Sequence, residues 1–388
     1  MKQGAEGKMS NSLPDKISAP EKSGDERIYY ATQWQLMWWQ FRRHKLALAG
    51  TVILVIMYFV AIFPGLFAPS DPNQRFSTYE SAPPTPIHIY SMGEGLQRPF
   101  IYKLKRTVDP ETIQLSFSED TTTKFPIRFF VPAEEPYQVL GMIPIKWRIM
   151  GTGEKGPPLL IFGADRLGRD LFSRTIYGSS ISLFIGLGGV IVTFVIGITL
   201  GGISGYVGGV TDEIIQRIID FLLSTPNIPL WMVLAAAIPR RWPVARVYLA
   251  ITLILSVIGW GGLARVVRGK LLSLREEDYI MAAQLYGVAA SRLIFRHLIP
   301  NFVSYLLVHI TLAIPSTILG ETSLSFLGLG MQPPAVSWGV LLKDAQELIV
   351  AAQRPWQLIP GVFVVLVVLM FNFVGDGLRD AADPYTRG

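Results

Sequence analysis

Six runs of apolar residues, at positions 46–67, 180–204, 218–239, 247–264, 302–320 and 358–375, constrain this 388-residue chain more than anything else in it. A helix rises about 1.5 Å per residue, so the first run, about 22 residues, extends roughly 33 Å and covers a hydrocarbon core about 30 Å thick. Half of the residues are hydrophobic and only 16% are charged, more apolar than a water-soluble core of this size requires. The expected fold is an all-α polytopic membrane protein with six transmembrane helices. A cleaved signal peptide is the competing reading of the first run. Its charged region would be unusually long, so the run is taken as the first span.

The rest of the chain divides around these runs. Residues 1–45 form a polar tail that ends in an aromatic and basic cluster, Trp34, Trp38, Trp39, Arg42, Arg43 and Lys45, suited to a membrane interface. After the span at 46–67, residues 68–165 turn Pro-rich and polar, with alternating runs HIYSM, FIYKLK, TIQLSF, KFPIRFFV and PIKWRIM. These read as a small β-rich insert outside the cytoplasm, against an irregular loop with local hairpins. Residues 166–378 form the main transmembrane domain, with a polar loop at 265–301, and 379–388 a short tail. An even number of spans puts both termini on one side. The basic tail and Arg265, Arg268, Lys270, Arg275, Arg292 and Arg296 make that side cytoplasmic, while Arg240, Arg241 and Arg246 run against the rule in a short outer loop. The net charge of +6 is thus spent on orientation beside the spans, and no nucleic-acid partner is expected.

Within the spans, Gly189, Thr193, Gly197, Gly201 and Gly205 recur at helical spacing and place small side chains on one face, where a neighbouring backbone approaches closely. Packing accounts for them better than a hinge does. Pro226, Pro229 and Pro315 are expected to kink or interrupt their helices, either lining a path or redirecting a helix. Ionisable residues at membrane depth are Asp220, His309 and Glu321. Asp220 and Glu321 lie near span ends and are expected to reach interfacial water. His309, deeper and without an acidic neighbour at helical spacing, reads as a hydrogen-bonded packing residue.

The polar segment 278–301, DYIMAAQLYGVAASRLIFRHLIPN, suggests one short helix over 276–286, a turn at Gly287 and a second helix over 291–299. Its residues alone fit two placements equally, a socket for another protein or an amphipathic loop on the inner membrane surface. Enzymatic chemistry is not expected. There is no cysteine, the four histidines are scattered, no metalloprotease or nucleophile-elbow pattern occurs, and RGKLL at 268–272 lacks the glycine and hydroxyl of a phosphate-binding loop. No catalytic residue, metal or cofactor is therefore assigned, and energy for any transport must come from another chain.

Ordered motifs then point further. GADRLGRDLFSRTIYG at 163–178, GYVGGVTDEIIQRIID at 205–220, the polar segment, SLSFLGLGMQPPAVSWG at 323–339 and FNFVGDGLRDAADP near the end resemble, together, the dipeptide/oligopeptide ABC-importer permease family, as its second permease subunit. The polar segment is similar to that family's coupling motif, with Met281 at the position of its Glu, followed by Ala282, Ala283 and Gly287. The resemblance implies a type I ABC importer permease fold in the bacterial inner membrane. It implies alternating access driven by two cytoplasmic ATP-binding subunits, with a homologous second permease subunit and an extracytoplasmic solute-binding protein as partners. Tyr279, Met281, Ala282, Ala283, Gly287, Arg292, Arg296 and Pro300 would couple to the ATPases, and Asp220, Pro226, His309 and Glu321 would lie along the path. Di- or oligopeptides are the implied substrate, with nickel chelates and oligosaccharides open. The insert is longer than the family's usual loop. With the outer segment 337–356 it would receive the binding protein. An ion-coupled secondary transporter is the alternative function, though it would need repeated halves and buried ionisable sites near broken helices. A structural or receptor-like membrane protein is the third.

Overall fold

The computed structural model describes residues 32–382 apart from 92–94, 109–114, 140–142, 154–155 and 240. Most of the amino-terminal tail, Arg240 and the last six residues of the carboxy-terminal tail therefore lie outside the described residues. Helix α1 (Gln33–Arg43) begins with a capping box. The Thr32 hydroxyl accepts the Gln35 N–H and the Gln35 side chain accepts the Thr32 N–H, satisfying two donors at the exposed start of the helix. Met37 and Phe41 face the bundle, whereas Trp34, Trp38 and Trp39 stay exposed, as an interfacial anchor requires. His44 then caps α2 (Lys45–Ile62), its Nδ1 accepting the Ala47 N–H at 3.0 Å.

Five strands follow: β1 (His88–Ser91), β2 (Gly95–Val108), β3 (Leu115–Pro126), β4 (Arg128–Val139) and β5 (Ile143–Gly151). They pair antiparallel as a three-stranded sheet, β1-β2-β3, and a separate ribbon, β4-β5. The alternation of FIYKLK turns Leu104 inward against Tyr79, Ala82, Leu160 and Ala164. Phe100 and Ile101 are buried beside it, while Lys103 and Lys105 face out.

The remaining helices of seven residues or more are α3 (Leu171–Val207), α4 (Gly209–Ser224), α5 (Asn227–Ala236), α6 (Val244–Arg275), α7 (Asp278–Leu285), α8 (Val303–Phe326), α9 (Trp338–Asp344) and α10 (Ile359–Ala382). Among the described residues, five helical segments are each long and apolar enough to cross a membrane: α2, α3, α6, α8 with the turns preceding it, and α10 with the turn preceding it. The expected third span, 218–239, is not one helix. It is the junction of α4 and α5, bent by 94°. The cause is local: Pro226 excludes the helical conformation from Thr225, which lies extended at φ −92° and ψ 131°. Pro229 falls in the first turn of α5, where its missing N–H costs nothing, and Pro315 is carried inside α8 without ending it.

The core of the bundle lies where α2, α3, α8 and α10 meet, around Leu54, Leu183, Ile314, Ile318, Trp338, Val367 and Phe371. Helix α3, at about 55 Å, is much longer than a hydrocarbon core and overhangs it. It runs beside α6 along the small-residue stripe. A Cβ on Gly197 would stand 2.8 Å from Leu263, one on Gly201 2.5 Å from the Ala264 carbonyl oxygen, and one on Gly205 2.9 Å from the Arg268 carbonyl oxygen. The Thr193 hydroxyl donates to the Ser256 carbonyl at 3.3 Å and the Ser256 hydroxyl to the Gly189 carbonyl at 2.9 Å. The stripe is thus a backbone-to-backbone seam. Gly201→Val is expected to lower the melting temperature of the detergent-solubilised protein, at about 1–3 kcal/mol of overpacking or more. Gly262→Ala, where an added Cβ meets nothing within 4 Å, leaves it unchanged. Equal melting temperatures for the two variants would refute the seam.

Candidate functional site

The segment after α6 folds back on the bundle as a knob. Helix α7 ends at Leu285, and Gly287 takes φ +72°, the left-handed conformation that lets the chain reverse. The second helix expected over 291–299 is present as a composite: an α turn over Ala290–Arg292, a π segment over Leu293–Leu298 and a 3-10 turn over Ile299–Phe302. Pro300 has no N–H for a regular ladder. Here the Ile299 N–H instead bonds the Ile294 carbonyl one residue further back. Ile280, Leu293, Ile294, Leu298 and Ile299 bury the inner face of the knob against Leu263, Val267 and Leu271 of α6 and Ile198 of α3. Asn301 closes it by donating to the Tyr279 hydroxyl at 2.8 Å and the His297 carbonyl at 2.9 Å.

The outer face carries Met281, Ala282, Arg292, Phe295, Arg296 and Pro300, all exposed. Leu285 is 90% exposed and Tyr286 89%, on a knob that is otherwise anchored. Apolar side chains held out on a fixed support are what a partner surface requires. Neither residue is among the coupling positions expected from the sequence, and Ala283, expected there beside Ala282, packs inward against the buried cluster.

The ionisable residues of the spans do not converge on one site. Asp220 accepts from Arg265 at 2.6 Å, both side chains about half exposed, and Asp212 takes two bonds from Arg268 at 2.6 Å each. These pairs latch α4 to α6. Glu321 does not reach interfacial water: it is fully buried, accepting from the Ser325 hydroxyl at 2.7 Å and the Ser182 hydroxyl at 3.1 Å. The reason is tertiary. Helix α9 folds over the end of α8, and the Trp338 N–H donates to the same Ser182 hydroxyl at 3.1 Å, sealing the carboxyl beneath it. His309 also departs from expectation, since it is half-buried on the wall of a cavity and makes no hydrogen bond among the described residues.

The opposite end of the bundle from the knob holds an ion cluster that the sequence reading missed. Asp165 accepts the N–H groups of Leu167 and Arg169 at 2.9 Å and the Arg169 side chain at 2.7 Å, and it pairs with the fully buried Arg174. Arg169 and Arg174 also reach Asp344 of α9, at 3.5 and 3.8 Å. Burial pushes the Asp344 carboxyl up, against the pull of the two guanidinium groups. Asp170 caps α3, accepting the N–H groups of Phe172 and Ser173 and the Ser173 hydroxyl. Burial pushes its carboxyl up to about 6 despite these donors. The signal for this cluster was present in GADRLGRD, but its second half, Asp344, lies far along the chain.

A bundle of membrane-length helices with one broken span, an anchored polar knob at one end and a buried ion cluster at the other defines a multi-pass membrane protein. Residues 197–388 match the family described as "Binding-protein-dependent transport system inner membrane component", and residues 32–84 match the "N-terminal TM domain of oligopeptide transport permease C". The oligopeptide transport system permease protein OppC of Bacillus subtilis is 41% identical over 227 residues, 58% of this chain and 72% of that protein. The dipeptide transport system permease protein DppC of the same organism is 40% identical over 58% of this chain and 69% of its own length. OppC of Haemophilus influenzae is 41% identical over 62% and 75%. The chain therefore belongs to the dipeptide/oligopeptide ABC-importer permease family. It is a multi-pass inner-membrane permease subunit of an ABC transporter and not itself an enzyme.

Removing one member of a buried pair strands the other. Arg174→Met is expected to cost about 3–5 kcal/mol, while loss of the exposed Arg166–Glu347 pair in Arg166→Met costs less than about 1 kcal/mol. Thermal unfolding of the two variants measures the difference, and equal losses would show that the cluster does not hold this end together.

Proposed function

We propose that the chain is one of two homologous permease subunits of an importer for di- or oligopeptides, worked by alternating access and driven by two ATP-binding subunits. The observation that carries the coupling role is the exposure of Leu285 and Tyr286 on a knob whose other face is buried against α6. On this reading the knob end is cytoplasmic, with both termini on that side. Leu285, Tyr286, Met281 and Phe295 enter a groove of an ATPase subunit. Arg292 and Arg296 pair at its rim, Ala282 allows close approach, Gly287 supplies the reversal, and Tyr279 and Pro300 brace the turn.

The peptide substrate follows the names of the similar permeases. The sheets and the segment 337–356 lie outside the cytoplasm and receive a solute-binding protein. The break at Pro226, with Asp220 at its flank, is the element placed to line the path. His309 faces a cavity beside α1, and Glu321 is occupied by its own serines, so neither is assigned to the path.

The test uses the assembled complex in proteoliposomes. Truncating an apolar anchor at the centre of an interface costs about 2 kcal/mol or more, roughly thirtyfold. Leu285→Ser and Tyr286→Ala are expected to reduce substrate-stimulated ATP hydrolysis and uptake by that order, at unchanged melting temperature. Gly287→Pro, which cannot adopt a positive φ, and Ala283→Trp, which cannot fit the buried cluster, are expected to abolish both. Full transport in all four variants would overturn the docking role. Collapse of uptake on dissipating the proton gradient, with ATP present, would instead identify a secondary carrier.

A further inference from the structure

We propose that a second site, unrelated to coupling, binds the phosphate head of an anionic phospholipid. It is a cavity of about 720 Å³ enclosed by α1, the start of α8 and the end of α10, with Lys270 of α6 at its rim. That volume lies within the range of small-molecule sites, about 300–1,000 Å³. Its depth is set by its walls. Helix α1 exposes Trp34, Trp38 and Trp39, the side chains that settle at headgroup level, and Leu36, Met37 and Gln40 of the same helix line the cavity together with the first turns of one span and the last turn of another.

The charge of the cavity selects the ligand. Lys270 and Arg379 stand in its lining, which holds no Asp or Glu. Neighbouring cations on α6 are already engaged: Arg265 holds Asp220, Arg268 holds Asp212, and Arg275 donates to the Tyr206 carbonyl. Lys270 and Arg379 have no such acceptor among the described residues. Two exposed cations on the lining of a cavity that shows no anion of its own among the described residues leave a place for one from outside.

The rest of the lining divides by chemistry. Tyr305 and His309 add polar groups to the lining, and Asn301, whose amide N–H groups are engaged by Tyr279 and His297, adds its side-chain oxygen, while Leu36, Val308 and Leu312 are apolar. A soluble anion uses only the first set. A phospholipid uses both, placing its phosphate between Lys270 and Arg379 and the upper acyl chain along Leu36, Val308 and Leu312. Basic pockets between membrane helices bind anionic head groups on this principle, each basic residue contributing about fivefold in affinity.

The experiment uses the complete importer complex in nanodiscs and phosphatidylglycerol carrying a photoactivatable acyl chain. Cross-links are expected on the peptides containing Leu36 and Val308 to Leu312. They are expected to fall on the order of 25-fold in Lys270→Ala/Arg379→Ala and to persist in the charge-preserving Lys270→Arg/Arg379→Lys. Labelling of the exposed face of α2, at Val55 and Phe59, serves as the internal control for general lipid contact. Excess unlabelled phosphatidylglycerol should displace the probe and phosphatidylcholine should not. Three results would each overturn the proposal. Equal displacement by phosphatidylcholine would mean annular lipid only. Displacement by inorganic phosphate would mean a site for a soluble anion. Absence of the cavity cross-links, with α2 still labelled, would mean that protein covers the site.

Discussion

The seam between α3 and α6 is the contact on which the rest of the structure hangs. In lipid there is little hydrophobic drive between helices, so association depends on close van der Waals approach and on polar contacts that the bilayer cannot supply. The glycines at 197, 201 and 205 bring the α3 backbone against the carbonyls of α6, and Thr193 and Ser256 add hydrogen bonds to main-chain oxygens on the partner helix. Because α3 is 37 residues long and α6 32, the same contact reaches both ends of the molecule. The ion cluster grows from the first turns of α3, and the knob is packed on the last turns of α6.

Charge is confined to places where this seam, or a cap over it, gives it partners. Asp165, Arg169, Arg174 and Asp344 tie the start of α3 to α9, and the Trp338 indole N–H donates to the Thr175 carbonyl at 3.0 Å, so α9 is fixed by both charge and packing. Beneath that cap the Glu321 carboxyl is held by hydroxyls from α3 and α8. An uncompensated buried carboxylate would be costly, and two hydroxyl donors offset that cost without a counter-ion. The other latch, from α4 to α6, is more exposed and therefore weaker.

What could be read from the sequence was local. Apolar runs, the spacing of Gly189 to Gly205, Gly287 and Pro226 each act within a few residues, and the structure places a span, a seam, a reversal and a break at them. What could not be read depends on chain returning from far away. Glu321 sits near a span end and would reach water if α9 did not fold over it. Asp165 and Asp344 are separated by most of the transmembrane domain, so no spacing announces their shared guanidinium partners. Leu285 and Tyr286 look like ordinary helix-end residues until the burial of Ile280, Leu293 and Leu298 shows which face of the knob is taken. The size of the bend at Pro226 also needs tertiary contacts, because proline forbids the helix but does not choose the angle.

The two kinds of contact assign different mechanical roles along the chain. A force applied at Tyr286 passes through Ile280 and Leu293 into α6, because that face is buried and close-packed cores transmit displacement. From α6 it passes into α3, where backbone against backbone leaves no side chain to absorb it by changing rotamer. The junction of α4 and α5 has no glycine seam: its turn at Thr225 and Pro226 is extended, and α4 is held to α6 by partly exposed ion pairs and by the buried cluster of Ile215, Ile219, Trp260 and Ala264. On the importer reading, the α3–α6 pair therefore moves as one body with the knob and carries α9 through the ion cluster. On the same reading the broken span is the element where two states would differ. On that reading a rocking motion would use two elements of the bundle, the close-packed seam and the extended break at Pro226.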